Sequence, residues 1–292
     1  MAFSRIAVIY NPNAGRTRER QAAVDRFAYL LREAGRSVDV CPTEQPLHAT
    51  ALARRAVASG CDLVVAHGGD GTMNEVLQAV VGTPVTLGVW PGGTANVLAA
   101  EIGFPERVDE VVQRIVTGRA IAATVGKANE RHFLLMAGIG LDAGVVAGVD
   151  PELKRRLGKG AFGVAALQYI YRWDLAPFRI TLPDGEEFEA RFLVAGNAGA
   201  YGGGFRLTPE AGLTDPCLDL CIFSAEARFD YLRAAAAAVV GAHRKLPGVT
   251  YRKVQRARVT GEFPIPVHLD GEVAGHLPLT LEAVPAAVQL LV

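Results

Sequence analysis

The residues of this chain best suited to chemistry lie in two short stretches. The first is Gly68-Gly69-Asp70-Gly71-Thr72, which follows the apolar run Leu63 to Ala66 and precedes a helix-like spacing of Val76, Leu77, Ala79 and Val80. A strand that ends in glycines and passes into a helix lets backbone N–H groups approach an anion, and the helix turns its positive end toward the same point. Phosphate suits such a turn. A carboxylate among these glycines would repel phosphate, so Asp70 points to a magnesium ion held between it and the phosphates. A plainer reading fits the same residues: glycines that allow positive φ, and an Asp that caps the helix. The second stretch is Asp270-Gly271-Glu272. In an extended segment or tight turn its two carboxylates share a face, and the glycine between them leaves room for a substrate whose hydroxyl must lose a proton. The same tripeptide at Asp184-Gly185-Glu186 lies between two β-rich segments and reads as a hairpin, which is also the plainer reading of the second stretch.

Both stretches need elements to hold them. Residues 5–10, Arg-Ile-Ala-Val-Ile-Tyr, read as a buried strand that stops at Asn11-Pro12-Asn13-Ala14-Gly15, a phosphate-sized turn. A helix is expected over about residues 18–32, closed by Gly35, then a strand at 37–40 with Thr43 at its end, and a second helix over about 47–59. After the central strand and helix, residues 85–90 form another strand. It runs into Pro91-Gly92-Gly93-Thr94-Ala95-Asn96, and helices follow at 97–101 and 108–117. This alternation predicts an α/β domain with a parallel sheet, whose turns lie along the edge outside the carboxyl ends of the strands. From about residue 120 the pattern turns to β-rich segments: 121–125, 132–137, 178–182, 188–194, 218–223, 249–260, 267–269 and 277–284, with helices over about 151–173 and 229–245. Two domains are expected, residues 1–120 and a mainly antiparallel β domain over 121–292, with 288–292 able to pair as a strand in either.

Composition narrows the classes of function. The formal net charge is zero, which gives no reason to expect nucleic acid as a partner. The longest apolar run, around residues 234–240, is far short of the roughly 18–20 residues a membrane span needs. The four cysteines form no CxxC pair, and no charged-then-apolar leader precedes the first strand, so the expectation is a reduced, cytoplasmic protein. Cys217 and Cys221 read as small buried side chains rather than half of a metal site. His67, at a strand end, reads as a satisfied structural histidine. Lys154, Arg155, Arg156 and Lys159 form a basic cluster that suits either a solvated helix face or membrane-surface docking, and Gly202-Gly203-Gly204 lacks the strand-and-helix context of a nucleotide fingerprint.

Asn11-Pro12-x-Ala14-Gly15, Gly68-Gly69-Asp70-Gly71-Thr72-x-Asn74-Glu75 and Pro91-x-Gly93-Thr94-x-Asn96-x-Leu98-Ala99, in that order, resemble the diacylglycerol kinase catalytic-domain family and its soluble bacterial lipid kinases. The resemblance continues through Gly138-Ile139-Gly140-Leu141-Asp142-Ala143, Asp215 to Asp219 and His268 to Glu272, and so covers nearly the whole chain. It implies transfer of the γ-phosphoryl group of ATP to a lipid hydroxyl, diacylglycerol or a related long-chain alcohol, at an active site in a cleft between the domains. It implies that Asn11, Pro12, Asn13, Ala14, Gly15, Thr43, Gly68, Gly69, Asp70, Gly71, Thr72, Asn74, Glu75, Gly93, Thr94 and Asn96 surround the nucleotide, with Mg2+ at Asp70. Asp270 and Glu272 join Asp70 in the catalytic centre, and one of the first two takes the hydroxyl proton. A structural magnesium ion is implied at Asp219 with Asp215, although here Asp215-Pro216-Cys217-Leu218-Asp219 departs from the family, where a glycine is common near Cys217. A lipid acceptor also implies transient contact with the inner membrane surface, and monomer and homodimer stay open. Two other functions compete: NAD kinase, which shares the GGDGT turn, and a silent nucleotide- or lipid-binding regulator. The Pro91 to Ala99 block favours the lipid kinases over the first, and the carboxylates Asp70, Asp270 and Glu272 argue against the second.

Overall fold

The structure, a computed structural model, describes residues 3–14, 17–141, 143, 144, 176–201 and 206–292. These belong to two compact units, Met1–Ala123 with Ala286–Val292, and Thr124–Pro285. In the first unit β1 (Arg5–Tyr10), α1 (Thr17–Glu33), β2 (Ser37–Pro42), α2 (His48–Ala58), β3 (Leu63–Gly68), α3 (Asp70–Val80) and β4 (Thr86–Pro91) alternate, followed by α4 (Val97–Glu101) and α5 (Val108–Thr117). The strands pair in parallel in the order β2-β1-β3-β4. Because β2 and β3 lie on opposite sides of β1, the order reverses there, and the crevice of such a sheet opens at the carboxyl ends of β1 and β3. All six residues of β3 are buried, the reason it reads as an unbroken apolar run. Helix α1 buries Val24, Phe27, Ala28 and Leu31 at helical spacing, and α3 buries Met73, Val76, Leu77 and Val80 in the same way.

The second unit is antiparallel. After β5 (Ala120–Ala128), which starts at the unit boundary, come β6 (Arg131–Phe133), β7 (Met136–Gly140), β8 (Phe178–Thr181), β9 (Glu187–Ala190), β10 (Phe192–Gly196) and β11 (Leu218–Phe223). Then follow α6 (Arg228–Val239), β12 (Val249–Val254), β13 (Arg256–Gly261), β14 (Pro266–Leu269), β15 (Glu272–His276) and β16 (Leu279–Leu291). One sheet has the order β12-β11-β10-β7-β14-β15, and β16-β13-β8-β9 pair in the other. Alternate residues of both layers meet in one core, Ile139, Leu193, Leu220 and Ile222 from the first and Ile180, Val259 and Leu281 from the second.

Three segments that the sequence predicts as single strands each fall on two strands. Residues 132–137 contain parts of β6 and β7, 188–194 parts of β9 and β10, and 249–260 contain β12 and most of β13, the members of each pair lying in different sheets. The break in the last is marked by Gln255 and Arg256, two successive exposed residues that interrupt strict alternation, as expected of a chain turning a corner between layers. The predicted helix over 229–245 is α6 followed by a 3-10 turn at His243–Lys245, with Gly241 between them at φ 71°. The helix predicted over 151–173, its basic cluster and the 202–204 glycines lie outside the described residues. Strand β16 begins beside β13 and ends in the first unit, where Gln289 and Leu290 pair in parallel with Thr86 and Leu87 of β4.

Candidate active site

The carboxyl ends of β1, β3 and β4 are joined through the main chain. Asn11 N–H donates to the His67 carbonyl at 3.1 Å, Gly92 N–H to that of Gly68 at 2.8 Å, and Thr43 N–H to that of Tyr10 at 2.8 Å. Residues 11–14, Thr43, 68–72 and 91–96 therefore lie side by side on one sheet edge; Gly15 is outside the described residues. Side chains finish each turn. Asn11 Oδ1 accepts the Asn13 N–H at 2.9 Å. Asn96, held at φ 49°, accepts the Gly93 N–H on Oδ1 at 2.8 Å and donates from Nδ2 to the Gly93 carbonyl at 3.0 Å. Asp70 Oδ1 accepts the N–H groups of Val97 at 2.8 Å and Leu98 at 3.4 Å. Asp70 thus caps a helix, as the plainer reading has it, but the helix is α4 rather than its own, and the bond locks the second turn against the third. The glycines serve close approach, not positive φ, which none of Gly68, Gly69, Gly71, Gly92 and Gly93 adopts. A Cβ on Gly93 would fall inside contact distance of the Gly69 Cα, and one on Gly68 would strike the Thr72 side chain. Thr94 is exposed at the tip of its turn.

Two residues that the resemblance puts around a nucleotide are employed elsewhere. Glu75 accepts the N–H groups of Leu47 at 3.0 Å and Ala49 at 2.9 Å, one on each carboxylate oxygen, and so caps α2, which enters through Leu47 at φ 66°. Asn74 is 1 % exposed and accepts the Gln78 side-chain amide along the body of α3. Sequence reasoning missed Arg20. It lies one turn before Val24 on the apolar stripe of α1 and is only 7 % exposed. Its Nη2 donates to the Gly92 carbonyl at 2.7 Å, while Nε and Nη1 are buried without hydrogen-bond partners. Among the described residues no carboxylate comes within ion-pair distance, so a desolvated cation stands behind the 91–96 turn; an anion at this edge would balance it. The signal was a charged residue at the 20-24-27-28-31 spacing. His67 stacks on Trp90 with ring centroids 3.8 Å apart, and its Nδ1–H donates to the Trp90 carbonyl at 3.1 Å. Burial, with Arg20 nearby, pushes its pKa down to about 4, so the ring is neutral and structural at neutral pH.

In the second unit the two carboxylates of Asp270-Gly271-Glu272 have separate duties. Asp270 is 6 % exposed and stands at φ 50° in the turn between β14 and β15. Its Oδ2 accepts the Leu134 N–H at 2.9 Å, and its Oδ1 accepts those of Leu135 at 2.8 Å and Met136 at 3.0 Å. Its own N–H donates to the Met136 carbonyl at 2.9 Å, and Gly271 N–H donates to His268 Nδ1 at 3.2 Å. Glu272, the first residue of β15, is half-buried rather than enclosed. The turn is a hairpin, as is Asp184-Gly185-Glu186 between β8 and β9, but only the first is bolted to the β6–β7 connection. Asn197 also grips that connection: its Nδ2 donates to the carbonyls of Thr124 and Leu134, both at 2.8 Å. Asp219 is fully buried in β11, and Lys253 Nζ on β12 is 3.4 Å from both Asp219 Oδ1 and Asp215 Oδ2. Cys221 is buried, and burial pushes its thiol up to about 12, which makes it inert as a ligand or nucleophile.

Comparison with known proteins accounts for both units. Residues 5–128 match the diacylglycerol kinase catalytic domain, and residues 136–292 match the YegS C-terminal NAD kinase beta sandwich-like domain. A diacylglycerol kinase of Mycobacterium tuberculosis (strain ATCC 25618 / H37Rv) is 31 % identical over 298 residues, covering 99 % of this chain and 95 % of the relative. A diacylglycerol kinase of Bacillus subtilis (strain 168) is 30 % identical over 286 residues, covering 94 % and 92 %. Among solved structures, a diacylglycerol kinase from Bacillus anthracis str. Sterne aligns with a TM-score of 0.81 at 25 % identity, over 99 % of this chain and 97 % of that one.

Proposed function

The chain belongs to the diacylglycerol kinase family, and on that premise we propose that it transfers the γ-phosphoryl group of ATP to a lipid hydroxyl, with diacylglycerol as the acceptor. The observation that carries this reading is a likeness spanning 99 % of the chain with the glycine turns and the Asp270-Gly271-Glu272 hairpin intact. Phosphoryl transfer asks the protein chiefly for positioning and for charge neutralisation. Backbone N–H groups of the 69–72 turn and of Thr94 bind the β- and γ-phosphates, with the Arg20 charge behind them; those of Gly92 and Gly93 are spent within and between the turns. Asp70, whose carboxylate is oriented by two amide donors, would hold a magnesium ion arriving with the nucleotide, which would add further charge neutralisation. Glu272 takes the proton of the acceptor hydroxyl as its oxygen bonds to the γ-phosphorus; the bond from that phosphorus to the bridging oxygen breaks, and ADP leaves with the electron pair. Asp270, whose oxygens are engaged by three backbone amides, positions the hairpin. Among the described residues no helix is long and apolar enough to cross a membrane, so the acceptor is met by transient contact at a lipid surface. The test is transfer of label from γ-labelled ATP in mixed micelles containing diacylglycerol, run beside NAD. Label in the organic-extractable product is expected. Label in NAD with none in lipid would move the protein to NAD kinase chemistry.

A further inference from the structure

Asp219 raises a question of charge that the kinase reading does not answer. It is the second residue of β11, wholly removed from water, and an unpaired carboxylate in such a place is costly. Burial pushes its carboxyl above the ordinary range, against hydrogen bonding from Tyr251 and the charge of Lys253. The β11–β12 register sets Lys253 directly opposite Asp219, an opposite-charge cross-strand pair. Tyr251, two residues earlier on the same face, donates its hydroxyl to Asp219 Oδ2 at 2.8 Å. Lys253 Nζ lies 3.4 Å from Asp219 Oδ1, 3.4 Å from Asp215 Oδ2 and 3.3 Å from the Glu210 carbonyl. Two carboxylates and a carbonyl are the oxygen donors that a hard divalent cation would collect. Here Lys253 Nζ donates to the Glu210 carbonyl and to Asp215 Oδ2, and it faces Asp219 Oδ1 as an ion pair, an oxygen that is buried without a hydrogen bond of its own.

The surroundings do not fit a magnesium ion as well. Among the described residues no group of three or more His, Cys, Asp or Glu side chains is arranged to hold a metal. The remaining side chain of the stretch with ligand chemistry, Cys217, is a soft thiol whose pKa burial pushes up, and magnesium prefers oxygen. An Arg244 guanidinium stacked 4.2 Å over the Tyr251 ring is ion-paired with Glu210, so that the Glu210 carboxylate is already matched by a side-chain cation. We propose that the Lys253 ammonium is the built-in counter-cation of Asp215 and Asp219, so that this unit joins β11 to β12 without the structural divalent ion that the family resemblance implies.

The proposal is independent of the kinase reading, and its test uses neither nucleotide nor lipid. The full chain, dialysed against EDTA and then against metal-free buffer, is assayed for bound metal by mass spectrometry and melted in EDTA, MgCl2 or CaCl2. Substoichiometric metal and one Tm in all three solutions are expected. Lys253→Met should lower Tm by roughly 3–6 °C in EDTA, and in that variant alone either ion should restore part of the loss. The double variant Lys253→Met with Asp219→Asn, which removes both charges, should melt above Lys253→Met and decides the matter if the single variant does not fold. One equivalent of metal retained by the wild type, a wild-type Tm that falls in EDTA, or a double variant no more stable than Lys253→Met would each overturn the proposal.

Discussion

Asp270 and Glu272 stand two residues apart and lose different things when neutralised. Asp270→Asn replaces a carboxylate that accepts three amide N–H bonds with a group that must turn an NH2 toward at least one donor, at a cost of about 2–4 kcal/mol. Glu272→Gln should melt like the wild type yet lose roughly 10²–10⁴ in lipid turnover, as proton-transfer variants do. Chemical denaturation beside turnover separates the two; equal losses of stability in both variants would remove the distinction. His67 gives a pH signature. Its folded-state pKa of about 4 lies below the ordinary 6.5, so the unfolded chain takes up a proton first as pH falls. The stability it contributes is complete above pH 6.5 and is lost progressively toward pH 4, about 3 kcal/mol in all. His67→Phe keeps a ring against Trp90 and should flatten the unfolding free energy over that window; an unchanged slope would assign the acid sensitivity to other groups. Of these residues the sequence shows the type and not the partner. The structural duties of Asp70 and Glu75 are hidden in the sequence because their donors, the amides of Val97 and Leu47, are 27 and 28 positions away and carry no side-chain label. Arg20 was missed although its place on the stripe of α1 could have been read from spacing alone.

The first unit was readable element by element because each helix carries an apolar face and each buried strand an unbroken apolar run, both local properties. The corners of the second unit were not, because a strand that changes sheets keeps its β-rich composition and alters only which neighbour it pairs with. Glycine runs were legible as turns but not in purpose. They allow the 68–72 and 91–96 turns to touch backbone to backbone, and this contact is directional: a Cβ on Gly93 meets the Gly69 Cα, whereas a Cβ on Gly69 would stand 3.5 Å from the Gly93 Cα, an ordinary contact. Gly93→Ala should therefore cost about 1–3 kcal/mol and weaken ATP binding, while Gly69→Ala should be the milder change. Calorimetric titration with nucleotide, beside melting curves, compares them. The reverse ranking would mean that approach to phosphate, not approach between turns, selects glycine here.

At the scale of the molecule, no compositional break marks where the units part, and the sequence leaves the final strand able to pair in either. The structure spends it on both. Residues 286–292 add Gln289 and Leu290 beside β4, an Ala287 carbonyl to the Gly82 N–H, and a reciprocal pair of bonds between Val292 and Arg119. Val288, Leu290 and Leu291 are at most 1 % exposed, and burial of three such side chains is worth about 5–9 kcal/mol before entropy, comparable to the stability of a whole domain. Deleting 286–292 should abolish amide-exchange protection in β1, β3 and β4 and preserve it in β10 and β11; continued protection of β3 would show that the sheet closes without its last strand. The order of synthesis gives this arrangement a further meaning. The ribosome makes residues 286–292 after every residue of the second unit, so the sheet whose edge carries the 11–14, 68–72 and 91–96 turns is completed only once the second unit has been made. A chain abandoned before residue 286 lacks the strand that pairs with β4, so its first unit is left with β4 as an open edge.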